Sequence, residues 1–129
     1  MNSLNTQNWL SQVKFNEQGL VPVIAQDYKS KDILMMAWMN LSSLQETVEL
    51  GQAIYWSRSR GRRWHKGEES GHFQNIKEIL LDCDGDTLLL MVEQVGGIAC
   101  HTGAPNCFFQ PLKKNNEEIY WQNSIGESK

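Results

Sequence analysis

The chain has 129 residues, of which 40% are hydrophobic and 21% charged. That composition suits one domain with a real core and excludes an intrinsically disordered chain. Twelve Lys+Arg stand against 15 Asp+Glu, a formal charge of -3, so a general nucleic-acid binder is not expected. No apolar run approaches the ~18 residues of a membrane span, and the start Met1-Asn2-Ser3-Leu4-Asn5 has no signal-peptide pattern. A cytoplasmic location is expected, with no membrane partner.

In chain order, residues 4–15 carry Trp9, Leu10 and Val13 at near-helical spacing and suggest a short N-terminal helix. Asn16-Glu17-Gln18-Gly19 is a turn signal. Residues 20–26 and 33–39 are rich in Val, Ile and Met and flank a polar stretch, so they predict a hairpin. The best helix follows. Asn40 or Ser42 can cap it, Ser42 with Gln45 has capping-box spacing, Leu44 and Val48 mark a common face, and Gly51 is the stop. A short strand is expected over 53–57, a polar loop over 57–71, and two strands over 73–81 and 87–95. Phe108-Phe109 and Ile119-Tyr120-Trp121 are candidate closing strands. The pattern is a β-rich α+β single domain over residues 1–129 with one main helix, not a series of βαβ units.

Three clusters carry chemistry. Cys83, Cys100 and Cys107 lie in one quarter of the chain, and their odd number fits a disulfide framework badly. Zinc prefers thiolate and imidazole ligands in a tetrahedral shell. Three thiolates would leave one position open for water, whereas a closed structural site would need His101 or His72 as well. Inert buried thiols are the plainer alternative. Asp82, Asp84 and Asp86 alternate with Cys83 and Gly85. On extended backbone their carboxylates would share one side, where a hard divalent cation relieves their repulsion. A solvated acidic turn is the plainer reading. An EF-hand is disfavoured because Thr87 stands where its glycine is required. The third cluster, residues 56–67, concentrates Arg, Ser and Trp in an acidic protein. Arg forks, hydroxyls and a stacking ring suit a phosphorylated nucleotide, a basic surface loop or an RNA contact. Beside a metal cluster, the small phosphorylated substrate is preferred.

These segments together resemble the phosphoribosyl-AMP cyclohydrolases of histidine biosynthesis. The resemblance rests on Trp56-Ser57-Arg58-Ser59-Arg60, Lys66-Gly67-Glu68, Ser70-Gly71-His72, Asp82-Cys83-Asp84-Gly85-Asp86, Cys100-His101-Thr102-Gly103 and Cys107-Phe108. Gln26-Asp27 and the segment ending at Asn40 add to it, so that the match runs over about 15–112. Arg63 and Asn106 depart from the family's usual apolar residue and Ser.

The resemblance implies a homodimer. Zn²⁺ would sit on Cys83 of one subunit with Cys100 and Cys107 of the other, and Mg²⁺ on Asp82, Asp84 and Asp86. It implies substrate contacts from Trp56, Ser57, Arg58, Ser59, Arg60, Lys66 and Ser70. It also implies a hydrolysis in which hydroxide held on zinc attacks the amine-bearing carbon of the alkylated adenine ring and opens it. Thiolates donate more charge than imidazoles, so a nearby base is useful. His101, beside Cys100, is the first candidate and His72 the second. The second domain that some relatives carry is not expected. Spacing agrees with sharing: a strand over 87–95 would hold Cys83 and Cys100 ~30 Å apart, while residues 101–106 can curl Cys100 and Cys107 around one ion. The alternatives are a deaminase, whose His-x-Glu and Pro-Cys-x-x-Cys elements are missing, and a zinc-stabilised RNA- or protein-binding module, whose paired Cys-x-x-Cys knuckles are also missing.

Overall fold

The structure, a computed structural model, describes residues 9–122. Of the expected N-terminal helix, residues 4–8 lie outside the described residues. Residues 9–11 form a helical turn in which the Gln12 and Val13 N–H groups donate to the Trp9 and Leu10 carbonyls. Val13 belongs to the core, and Trp9, Leu10 and Phe15 pack against it.

The expected hairpin forms. Strand β1 (Val21–Asp27) pairs antiparallel with β2 (Ile33–Met39). Val21, Val23 and Ala25 of β1 point inward at the strand's period of two. Asp27 closes the turn, its carboxylate accepting from the Lys29 and Ser30 N–H groups at 2.9 and 3.0 Å.

Helix α1 (Leu41–Leu50) starts at Asn40, whose Oδ1 accepts from the Ser43 N–H at 2.9 Å while Ser43 Oγ accepts from the Asn40 N–H. The capping box is therefore Asn40 with Ser43, not Ser42 with Gln45. Gly51 ends the helix as expected. Its buried face is Ser43, Leu44 and Thr47, and Val48 is exposed, contrary to the apolar pattern. Thr47 takes the inward position because its hydroxyl accepts from the Ile54 N–H at 3.0 Å and donates to the Ser43 carbonyl at 2.8 Å. A buried Val would leave that N–H unpaired.

Strand β3 (Ile54–Ser57) pairs antiparallel with β4 (Arg62–His65), so the expected loop over 57–71 contains a strand. Its polar sequence hid it: Arg62, Arg63 and Trp64 are exposed, and no inward alternation marks it. Strands β5 (Gln74–Leu81) and β6 (Leu88–Gln94) form the second antiparallel pair. The main sheet has the order β2-β1-β6-β5, with β1 and β6 parallel at its centre. That parallel pair needs a long crossover, and β2, α1, β3, β4 and β5 supply it. Leu88, Leu90 and Val92 of β6 bury against Val21, Val23, Met39 and Leu44, at ~1.5–3 kcal/mol for each fully buried side chain.

Strands β7 (Leu112–Lys114) and β8 (Ile119–Trp121) close a separate hairpin. Phe108-Phe109 is irregular backbone, not a strand. Among the described residues, no helix is long and apolar enough to cross a membrane. The architecture is the expected β-rich α+β type with one main helix.

The cap assignment is testable by urea titration. Asn40→Ala should destabilise the protein by ~0.5–2 kcal/mol, whereas Ser42→Ala should stay within ~0.5 kcal/mol.

Candidate metal centre and active site

Two groups of candidate ligands lie at opposite ends of β6. At its exit, the 3-10 turn Val95–Gly97 leads to Cys100, which is buried, and Cys107 lies on the far side of a loop. Two hydrogen bonds shape that loop: Gly103 N–H to the Cys100 carbonyl at 3.0 Å, and Cys100 N–H to the Ala104 carbonyl at 3.1 Å. The Cys107 N–H ties the loop's end to the Leu34 carbonyl of β2 at 2.8 Å. The two thiols are thereby brought near enough to influence each other's ionisation.

Burial alone would raise the Cys100 thiol. The Thr102 hydroxyl and N–H, the Cys107 thiol and the Lys66 ammonium outweigh it and hold Cys100 below the usual thiol range. Thr102 Oγ1 donates to Cys100 Sγ at 3.1 Å. Cys107 is pushed up to about 11, first by burial and then by Cys100. Two thiols side by side resist losing both protons, and a divalent cation removes that resistance. The pair fits a thiophilic ion.

At the entrance to β6, the backbone over 82–87 turns rather than running extended. Asp82 Oδ1 accepts from the Asp86 and Thr87 N–H groups at 3.0 and 3.2 Å. The three carboxylates still converge, but through the turn and not through strand alternation: their oxygens lie within 4.8 Å of one another. Gly85 has φ +81, and a Cβ there would sit 2.8 Å from the Gln12 carbonyl oxygen. Glycine is therefore required where the N-terminal segment crosses the turn. Asp84 first, then desolvation and Asp82, hold the Asp86 carboxyl above the usual range; at Asp82 desolvation is outweighed by the Asp86 and Thr87 N–H donors and the neighbouring carboxyls, which together hold it below. Oxygen donors with mutual repulsion fit a hard cation.

Cys83 sits exposed in the same turn. Among the described residues, the carboxylate trio is the one group of three or more metal-capable side chains whose ligand atoms meet within one chain. Cys83 does not join Cys100 and Cys107. Strand β6, seven residues and ~23 Å long, lies between them.

The basic segment sits on the β3–β4 hairpin. Ser57 Oγ accepts from the Arg60 N–H at 3.3 Å and lies 3.5 Å from Ser59 Oγ, so Ser57 shapes the turn. Arg58, Ser59 and Arg60 are exposed at its tip, and Trp56 is half-buried. The Arg58 guanidinium lies 4.6 Å from the centre of the Trp38 ring, a platform the sequence did not single out. Arg63 pairs with Glu46 of α1 at 2.6 Å, which gives this unusual residue a partner on the surface.

His101 is exposed on the turn beside Cys100. His72 is half-buried, with its ring against Gly96 and its N–H donating to Ser70 Oγ at 3.1 Å. Lys66 differs from the arginines: it is buried beside the thiols, with its ammonium on the Ala99 carbonyl. Burial lowers its pKa, and Cys107 and Cys100 oppose that. A cleft of about 620 Å³ opens next to Cys107, walled by Phe108, Phe109, Pro111 and Trp121.

The model of the phosphoribosyl-AMP cyclohydrolase family matches residues 35–109, more than half of the chain. The chain belongs to the phosphoribosyl-AMP cyclohydrolase family. Among similar proteins, the phosphoribosyl-AMP cyclohydrolase of Aromatoleum aromaticum is 55% identical over 93% of this chain and 99% of its own length. Those of Herminiimonas arsenicoxydans and Trichormus variabilis are 60% and 61% identical, over 88% and 81% of this chain and 85% and 90% of theirs. The matched stretch holds the cysteines, the Asp turn and the β3–β4 hairpin.

Sequence reasoning missed a polar ladder that links β3, β5 and β6 to the His72 backbone. The Tyr55 hydroxyl, fully buried, donates to Gln74 Oε1 at 2.6 Å. Gln74 Nε2 donates to Gln94 Oε1 at 2.8 Å, and Gln94 Nε2 reaches the His72 carbonyl at 3.1 Å. Burial raises the Tyr55 pKa well above the usual phenol range. One signal was legible: Gln74 opens strand β5 and Gln94 closes strand β6, its antiparallel partner. Tyr55→Phe leaves a buried amide oxygen unpaired and should lower the unfolding free energy by ~1–3 kcal/mol in urea.

Proposed function

We propose that this chain opens the adenine ring of phosphoribosyl-AMP at a zinc site built from Cys83 of one subunit and Cys100 and Cys107 of the other. Family membership carries the reaction itself: the chain is a hydrolase of a cyclic amidine C–N bond in histidine biosynthesis. The observation behind the metal reading is the loop that holds Cys100 and Cys107 near enough to influence each other's ionisation, with a buried Lys66 on the carbonyl before Cys100. Free thiols suit the reducing cytoplasm, where we place the protein.

Zinc, when bound by these thiolates, would supply water acidic enough to react near neutral pH. The chain's own residues do the rest. Arg58 and Arg60 present guanidinium forks to a phosphate, with Ser57 and Ser59 as neighbouring hydroxyls and Trp56 as a stacking surface, and Ser70 would add a hydroxyl from the turn after β4. The substrate carries a second phosphoribosyl group on the ring nitrogen next to the amine-bearing carbon, which leaves that carbon electron-poor. Water adds there, and the carbon becomes tetrahedral. The bond to the ring nitrogen then breaks, the nitrogen takes a proton, and a carboxamide remains. His101, at the edge of the thiol loop, takes the proton from the attacking water and returns it to the leaving nitrogen; His72 is the second candidate for that role. Asp82, Asp84 and Asp86 would hold magnesium near the substrate's phosphates.

Sharing across a two-fold axis follows from the separation of Cys83 from the other two thiols, since isologous dimers supply a second copy in the reverse direction. The exposed apolar side chains Leu80 and Leu81 of β5, next to the Cys83 turn, are suited to such contact.

Cys83→Ser, Cys100→Ser and Cys107→Ser should each lose zinc and ring-opening activity together, measured by metal analysis and by absorbance with phosphoribosyl-AMP. His101→Ala should keep zinc and lose ~10²–10⁴ in kcat. Full turnover by zinc-free Cys100→Ser protein would contradict the metal reading. Loss of zinc from His101→Ala would make that histidine a ligand or a structural element instead of a base.

A further inference from the structure

Among the described residues, Lys66 is the one buried lysine or arginine. It is 9% exposed, whereas Arg58, Arg60 and Arg62 lie in solvent and Arg63 is paired with Glu46. Its ammonium donates to the carbonyl of Ala99, the residue before Cys100. The aromatic face of Trp64 lies 5.3 Å away on another side. The charged or titratable groups acting on it are Cys107 and Cys100. Among the described residues, no carboxylate reaches it.

The backbone holds this lysine in place. Its N–H donates to the Ala53 carbonyl at 3.1 Å. The next residue, Gly67, has φ +95, and a Cβ there would lie 2.4 Å from the Phe73 nitrogen. The chain is thus pressed against β5's approach at this point, and the side chain is held by the Ala99 carbonyl. A buried ammonium is strongly unfavourable unless anionic charge faces it. Three thiolates on one divalent cation carry a net charge of one minus, which a single ammonium cancels.

We propose that Lys66 is a positioning residue for the metal centre: its ammonium balances the excess negative charge of the thiolate set and so retains the metal, in place of gripping a substrate phosphate. The proposal rests on the zinc reading above. It moves Lys66 out of the substrate contacts that the resemblance implied. The ammonium needs no contact with the ion, because the groups around metal ligands govern affinity through charge and hydrogen bonding.

The test compares Lys66→Met, Lys66→Gln and Lys66→Arg in the full-length protein. Zinc affinity is read by competition with a chromophoric chelator, and KM and kcat for phosphoribosyl-AMP are read at saturating zinc. The neutral variants should bind zinc ~10–100-fold more weakly, the usual effect of losing such a neighbour. Their KM at saturating zinc should be unchanged, and Lys66→Arg should recover most of the affinity. Unchanged zinc affinity with a raised KM would overturn the proposal and return Lys66 to the phosphate site. A second measurement does not depend on the variants folding. In wild-type protein with ¹⁵N-labelled lysine, the Lys66 ammonium resonance should move on adding zinc and stay fixed on adding inorganic phosphate. The reverse pattern would overturn the proposal. Failure of the wild type itself to bind zinc would sink the metal reading instead, so the two failures are distinct.

Discussion

An extended strand cannot fold back on itself, and most of this molecule's functional arrangement depends on that. Strand β6 is central, hydrogen-bonded on both sides, and buried along Leu88, Leu90 and Val92. It carries the Asp turn and Cys83 at its start and delivers Cys100 just beyond its end. Bending it would break two ladders and open the core, so the two groups of ligands stay a strand's length apart. A site that needs all three thiols must then draw on two chains.

The same strand sorts donors by chemistry. Oxygen donors gather at its entrance, in a turn held by backbone N–H groups and crossed closely by the N-terminal segment at Gly85. Sulfur donors gather at its exit, where a loop is tied to β2 through Cys107 and a lysine is buried beside them. Hard and soft cations prefer these two surroundings respectively. Under a two-fold axis that reverses one strand against the other, each soft site would gain the missing thiol and each hard site would lie next to it.

Much of this was legible in the sequence. The alternating Val21, Val23 and Ala25, and the apolar run of β6, encode strands directly, and Asn40 and Gly51 punctuate the helix. The motifs around the cysteines and aspartates carried the family. What stayed hidden has physical reasons. Strand β4 is polar because both its faces are largely exposed. Thr47 rather than Val48 faces inward because a backbone N–H of β3 needs an acceptor there. The carboxylates converge through a turn that alternation alone could not reveal. Lys66 was expected among the substrate contacts with the arginines, although its side chain is buried on the Ala99 carbonyl, next to Cys100 in sequence. Charge in a sequence says little about whether the folded chain buries it.

The most direct test of the shared site is subunit mixing. Inactive Cys83→Ser protein is combined with inactive Cys107→Ser protein under conditions that allow exchange. In a heterodimer, one site keeps all three thiolates and the other loses two. Activity should return to as much as about half of wild type per heterodimer, as one intact site of two implies. If each site were confined to a single chain, both would stay broken in the mixture, and no activity would return.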